Sequence, residues 1–190
     1  MSFNSQIMRL RIKNKWQDKN RERTVEDAAG VVAFNLWKIA SANVLNLENE
    51  GFQTDSQSQR VDVIEELLAF YVSLVDRLAA DKEYDEDKRR QLIVALAMNL
   101  AKTVKDNRVD FDGEGEHSRA FVELLNDRMS EYAGFSYSDG EPGFQLRRRV
   151  GEHVQAVMGE KDNKWVPDQV MDIEIPDAMK VFKRVVRGLV

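Results

Sequence analysis

Residues 61–80 read VDVIEELLAFYVSLVDRLAA, and their spacing decides the fold class. Val61, Ile64, Leu68, Tyr71, Val75 and Leu78 step by three and four, so they share one helical stripe. Val63, Leu67, Phe70 and Leu74 form a second stripe beside it. Two adjoining stripes make an apolar face wider than a surface helix carries, so this helix needs neighbours on several sides. A third line, Asp62, Glu66, Ala69, Ser73, Asp76 and Ala80, is acidic at its start and small in its middle. It predicts a solvated first turn and a neighbour closing on Ala69 and Ser73. Three partners are expected: the long helix before, the helix after, and a C-terminal helix.

The flanking sequence supplies them. Thr24 opens a helix over 24–50, with a hydroxyl at the N-cap and Glu26 and Asp27 in the first turn, where the helix dipole favours acids. Val32, Leu36, Ala40 and Leu47 line its inner face, and Gly51 stops it. Gly30, unfavourable within a helix, is expected to mark a close helix contact. Polar residues 53–59 form a linker, with Ser56 or Ser58 as the next cap. The short turn after residue 80 makes the helix over 85–105 an antiparallel neighbour. Its expected inner face is Ile93, Leu96, Ala97, Leu100 and Val104, widened by Leu92, Val94 and Met98. Asn99 is read as exposed or bonded to backbone.

Helices over 117–133 and 144–158 follow, the first with Phe121, Leu124, Leu125, Met129 and Tyr132 inward, the second with Leu146, Val150, Val154 and Val157. Between them Asp139-Gly140 is a turn signal that admits a small hairpin. An aromatic-rich loop packed on the bundle is the preferred reading. Near the end, Val166-Pro-Asp and Ile175-Pro-Asp each place Pro in a first helical turn, so one short helix starts at Pro167 and a last one at Pro176. The last is expected to bury Ala178, Val181, Phe182, Val185 and Leu189. The resulting expectation is an all-α protein of about six helices: an antiparallel helical bundle core with C-terminal helices packed across it. Its organisation is a basic N-terminal arm, 1–23, and a single all-helical domain, 24–190.

Composition narrows the function classes. A chain of 190 residues with 43% hydrophobic residues supports a core without staples. There is no cysteine, which excludes disulfides, thiolate catalysis and cysteine-ligated metal centres and suits a reducing, cytoplasmic setting. No secretory leader is visible, and the longest unbroken apolar run is 92–98, so no membrane span is expected. The net charge of −5 is uneven: residues 1–23 carry seven basic and two acidic side chains, a net +5, leaving −10 on the rest. Such an arm can meet nucleic acid or fold back on acidic protein surface. It lacks interleaved aromatics for base stacking, and Trp16 reads as a tether.

Four polar constellations stand out in the sequence. Asp110, Asp112, Glu114 and Gly115 fall at calcium-hand positions, but position 12 would be Phe121; counting from Asp112 restores Glu123 there and puts His117 at the turn position. Glu114-Gly-Glu-His117 matches one Glu-x-x-His element, whereas a di-iron bundle needs two plus further inward glutamates. His117 and His153 are the only histidines and read as edge-of-core residues. Arg147, Arg148 and Arg149 point to different sides of a helix, so ion pairing fits them better than a phosphate patch. Asp62, Glu65 and Glu66 remain as an acidic first turn. No catalytic, cofactor-binding or metal-ligating residue is assigned. The expectation is a non-enzymatic helical protein that binds protein, itself or another, as a homo-oligomer. The alternatives are a nucleic-acid factor using the arm and a metal-dependent helical enzyme using His117, His153 and nearby acids.

Overall fold

The computed structural model describes residues 24–82 and 84–186, so the basic arm and Leu189 lie outside the described residues. The fold is all-α: helices pack on helices, with one two-strand hairpin as the sole sheet among the described residues. The long helices are α1 (Val25–Asn49), α2 (Gln57–Asp81), α3 (Glu86–Asp112), α4 (His117–Tyr132) and α5 (Phe144–Val157). Then come α6 (Val166–Gln169) and α7 (Ile175–Val186), joined by a π turn, Val170–Glu174.

Helix α2 is the axis of the molecule. Every residue from 63 to 75 is buried, so the two apolar stripes and the third line are covered along the middle of the helix, while Asp62, Asp76 and Leu78 are half-buried and Ala80 is exposed. Its neighbours are α1, α3, α4 and α5, one more than the spacing required, and α7 reaches it through Phe182, stacked on Tyr71 at 6.1 Å. Local chemistry sets the helix starts. Thr24 and Asp27 form a capping box, Ser56 caps the Gln59 amide and Asp85 caps the Lys88 amide.

Helix α1 is long and apolar enough, by length and composition, to cross a membrane, with a mean hydropathy of 1.3 over its best window. A criterion of unbroken apolar runs passes over this helix, because single polar residues interrupt it. Its stripe Val32, Leu36, Ala40 and Leu47 is buried against α2, α3 and α7, as in a core helix. Gly30 does not mark a close contact: a side chain there would meet nothing within 4 Å.

Helix α3 differs from its reading in two ways. It runs on to Asp112, two turns past residue 105, and Val94 and Met98 face outward at 56% and 62% exposure. Its buried line is Leu92, Leu96, Leu100, Ala101 and Val104, because α2 and α1 cover that side only. Asn99 is exposed and donates to the Ala95 carbonyl at 2.8 Å.

Residues 137–142 form the hairpin rather than a loop, with β1 (Tyr137–Ser138) paired to β2 (Glu141–Pro142). Asp139 and Gly140, at φ 53° and 73°, are the left-handed pair that a tight two-residue turn requires. The expected short helix and last helix are α6 and α7, and the π turn joins them without a break. Pro176 sits inside this run, directly after the π turn. There the N–H to carbonyl register widens, and a residue lacking an N–H and crowding the preceding turn is accommodated. The π turn also rotates the last face: Ile175, Ala178, Met179, Phe182 and Val186 are buried, Val181 is exposed and Val185 half-buried.

Helix α5 crosses α6 at Gly151, where a Cβ would sit 2.7 Å from the Cα and carbonyl oxygen of Pro167. Backbone atoms there have no flexible end to move aside. Gly151→Ala is therefore expected to destabilise by about 1–3 kcal/mol. Gly30→Ala, in open space within a helix, is expected to stabilise by about 0.5–1 kcal/mol. Urea unfolding of the two variants beside the parent checks both signs.

Candidate functional site

Because α2 begins at Gln57 rather than Val61, its acids lie in the second and third turns, which open onto a cleft of about 420 Å³ between α2, α3, α4 and the end of α5. Asp62, Glu65 and Glu66 line it, with Arg108, His117 and the apolar Leu124 and Val157. The solvated turn expected from sequence is not what forms. Asp62 stays partly exposed, but Glu65 and Glu66 are 8% and 4% exposed. Carboxylates so buried are costly unless ionic and hydrogen-bonding partners meet them.

Two guanidinium groups do so. Arg128 of α4 holds Glu66 in a two-pronged pair, with Nε and one terminal nitrogen each 2.7 Å from a different carboxylate oxygen. That pairing, ahead of opposing burial, raises the Arg128 pKa. Arg108 of α3 donates through Nε to Glu65 at 2.9 Å, and also to Asp62 and, at 3.3 Å, to Asp112 and the Ser58 carbonyl. Ser58 in turn donates to Asp112. Burial works to lower the Arg108 pKa, but Asp62 and Glu65 outweigh it and hold it above its ordinary value. Three carboxylates share this one cation, so it does not neutralise Glu65 fully. Burial is the larger influence there, and with Asp62 and Glu66 adding to it, the Glu65 pKa is pushed up to about 7.

Arg108 is in reach only because α3 continues to Asp112. A helix ending at residue 105 would place it in a loop, and that is why the sequence reading missed it. The acidic segment 110–116 is divided accordingly: Asp110 and Asp112 belong to the last turn of α3, Gly113 ends it at φ 79°, and Glu114 to Glu116 form the bend before α4. Asp112 turns back to Ser58 and Arg108 rather than toward a shared cation position.

The two histidines are kept apart. His117 Nε2 lies 2.8 Å from the Gly113 carbonyl, across the α3–α4 bend. His153 Nε2 lies 2.8 Å from Glu131 in a separate α4–α5 network, where Arg149 pairs with the same carboxylate. Burial opposes it, but Arg149 and His153 hold the Glu131 pKa below its usual value. Among the described residues no group of three or more His, Asp and Glu is placed to hold a metal ion. The arginine run diverges, and the expected ion pairing holds for Arg148 and Arg149 while Arg147 bonds a backbone carbonyl. Arg147 donates to the Met171 carbonyl at 3.2 Å, Arg148 pairs with Asp168 at 2.8 Å, and Arg149 pairs with Glu131 and Glu152.

A second polar network lies in the core. Tyr71 donates to Asn43 Oδ1 at 2.5 Å, Asn43 donates to Glu174 at 3.1 Å, and Gln169 donates to Glu174 at 3.2 Å. Glu174 is 2% exposed, and burial raises its pKa against the hydrogen bonds that oppose it. The sequence signal was a gap: Leu36, Ala40, position 43 and Leu47 continue one stripe, and position 43 is an asparagine.

The surface also carries an apolar depression. A groove of about 460 Å³ runs between α3 and α4, floored by Met98, Ala101 and Val122. The helices are pinned beneath it by Ser118 donating to the Ala101 carbonyl at 3.2 Å. Lys102, Lys105 and Arg119 rim it, with Glu123 as the one acid of its lining.

Arg128→Ala strands Glu66 in the core and is expected to cost about 3–5 kcal/mol in urea unfolding, whereas the double replacement Arg128→Met with Glu66→Met recovers most of that loss. Glu65 has a sign of its own. Its folded pKa lies above the ordinary 4.5, so the stability it contributes is full below about pH 4.5 and is lost as pH rises through about 7. Glu65→Gln is expected to flatten the stability profile between about pH 5 and pH 8 by about 2–3 kcal/mol relative to the parent, measured by urea unfolding at each pH.

Compared with protein-family models, curated proteins and solved structures, the chain matches none.

Proposed function

We propose that this is a non-enzymatic helical protein that acts by binding protein, and that α3 and α4 present the binding face. The observation that carries this reading is the outward turn of Val94 and Met98, one helical turn apart, beside a groove floored by Ala101 and Val122. Single exposed apolar residues are ordinary on any protein, but a stripe continuous with an apolar groove is a feature of partner surfaces. The chemistry of the acidic cleft points the same way. Its buried carboxylates are engaged by Arg108 and Arg128, and its imidazole by a backbone carbonyl. Groups held in this way brace helices; a general base needs a free lone pair facing substrate.

A photo-crosslinking amino acid at position 98, incorporated in cells, tests the reading, with exposed position 145 as control. A discrete protein adduct at 98, absent at 145 and reduced by Val94→Asp, is the expected result. No adduct at 98, or the same adducts at both positions, removes the proposal.

A further inference from the structure

We infer that the cleft between the hairpin, the start of α5 and α7 binds a small organic carboxylate on Arg147, at a site separate from the α3–α4 face. The cleft measures about 520 Å³. Pro142 of β2 and Ile175, Pro176 and Met179 of α7 form its apolar walls, and Glu141, Lys180 and Lys183 also line it.

Charge selects the occupant, and it does so through Arg147 alone. Lys180 pairs with Asp177 at 2.6 Å and Lys183 pairs with Glu141, so neither is left to attract an anion. In the run 147–149, Arg148 and Arg149 each reach two carboxylates. Arg147 reaches none among the described residues; its one hydrogen bond is from Nη1 to the Met171 carbonyl at 3.2 Å. Its Nε is buried with no partner, and its Nη2 makes no bond yet is not buried. Nη2 is therefore the nitrogen that a ligand in the cleft can reach. A guanidinium this poorly satisfied gains more from a carboxylate than one already paired.

The π turn builds the site. Its register sends the Ile175 N–H to the Val170 carbonyl, five residues back. In the same register the Met171 carbonyl would bond residue 176, and Pro176 has no N–H to give. Arg147 Nη1 supplies that bond instead, which fixes the guanidinium against the C-terminal helix beside the apolar walls. A side chain already fixed loses little freedom when a ligand arrives, so the site is pre-organised. The walls choose among anions. They favour a carboxylate that carries a hydrocarbon body, whereas inorganic phosphate would give up its hydration for a single free nitrogen.

The test titrates the full chain, labelled for amide and methyl NMR, with hexanoate, with hexanol as its neutral counterpart and with inorganic phosphate, all at one ionic strength. Hexanoate is expected to bind saturably in about the millimolar range, and at least about tenfold more tightly than either of the others. Its shifts should fall on the Ile175 and Met179 methyl groups and on the Arg147 Nε–H signal. Arg147→Gln, which keeps a donor for the Met171 carbonyl, should bring hexanoate down to the affinity of hexanol. Lys180→Gln, at an exposed and already paired position, should leave hexanoate binding unchanged. No saturable shift, equal binding of hexanol, tighter binding of phosphate, or shifts outside 137–147 and 171–183 overturns the inference. So does a preference for hexanoate that survives Arg147→Gln. Should that variant fail to fold, the parent's preference for hexanoate over hexanol decides alone. Binding seen only in the full-length variant Asp18→Asn with Glu22→Gln makes an acid of residues 1–23 the partner of Arg147, and that also overturns the inference.

Discussion

Burying α2 on every side is the constraint from which the other features follow. A helix surrounded by four others has no face left for water, so even its third line must be satisfied by protein. That line carries Glu66, and the neighbouring position carries Glu65. Hydrophobic packing alone cannot seat these carboxylates; they need cations brought in from helices that also cover α2. Arg108 and Arg128 arrive on α3 and α4, so the two ion pairs tie three helices at one end of the bundle. The length of α3 is part of this. Its last two turns bury little apolar surface, and what they contribute is Arg108 and Asp112 at the mouth of the cleft.

At the other side of α2 a different kind of polar contact fixes alignment. Apolar stripes are tolerant of sliding, whereas hydrogen bonds have direction. The Tyr71–Asn43–Glu174 chain sets α1, α2 and the C-terminal helix in one register. The π turn does two things in that helix: it admits Pro176 and it brings Glu174 onto the buried side. Gly151 allows α6 to lie directly on α5, closing the C-terminal layer over the bundle.

The acidic cleft and the α3–α4 groove therefore have opposite characters. The acidic cleft is lined by carboxylates that Arg108 and Arg128 engage, and its geometry is that of a brace. The α3–α4 groove is apolar in its floor and carries exposed methionine and valine side chains that no described helix covers. Unbalanced exposed apolar surface is stabilised by a partner, and balanced buried charge is stabilised within the chain itself. This contrast is why the binding reading is placed on α3 and α4 and not on the acidic turns of α2.

By itself the amino-acid sequence determined the all-α class, the starts of the long helices and the central place of α2. These rest on local causes: apolar period, capping hydroxyls and carboxylates, and glycine at the ends. It also indicated the isolation of the arginine run, since consecutive helical positions diverge. What only the tertiary structure decided was which of several apolar residues on a broad face turn inward, and which charges become buried. Val94 and Met98 fall on the same periodic face as residues that are covered, and their exposure depends on how far α1 and α4 extend over α3. The pairing of Glu65 with Arg108 spans 43 positions, and that of Glu66 with Arg128 spans 62. No local pattern encodes such distances, because a charge on a helix looks solvated until another helix arrives beside it.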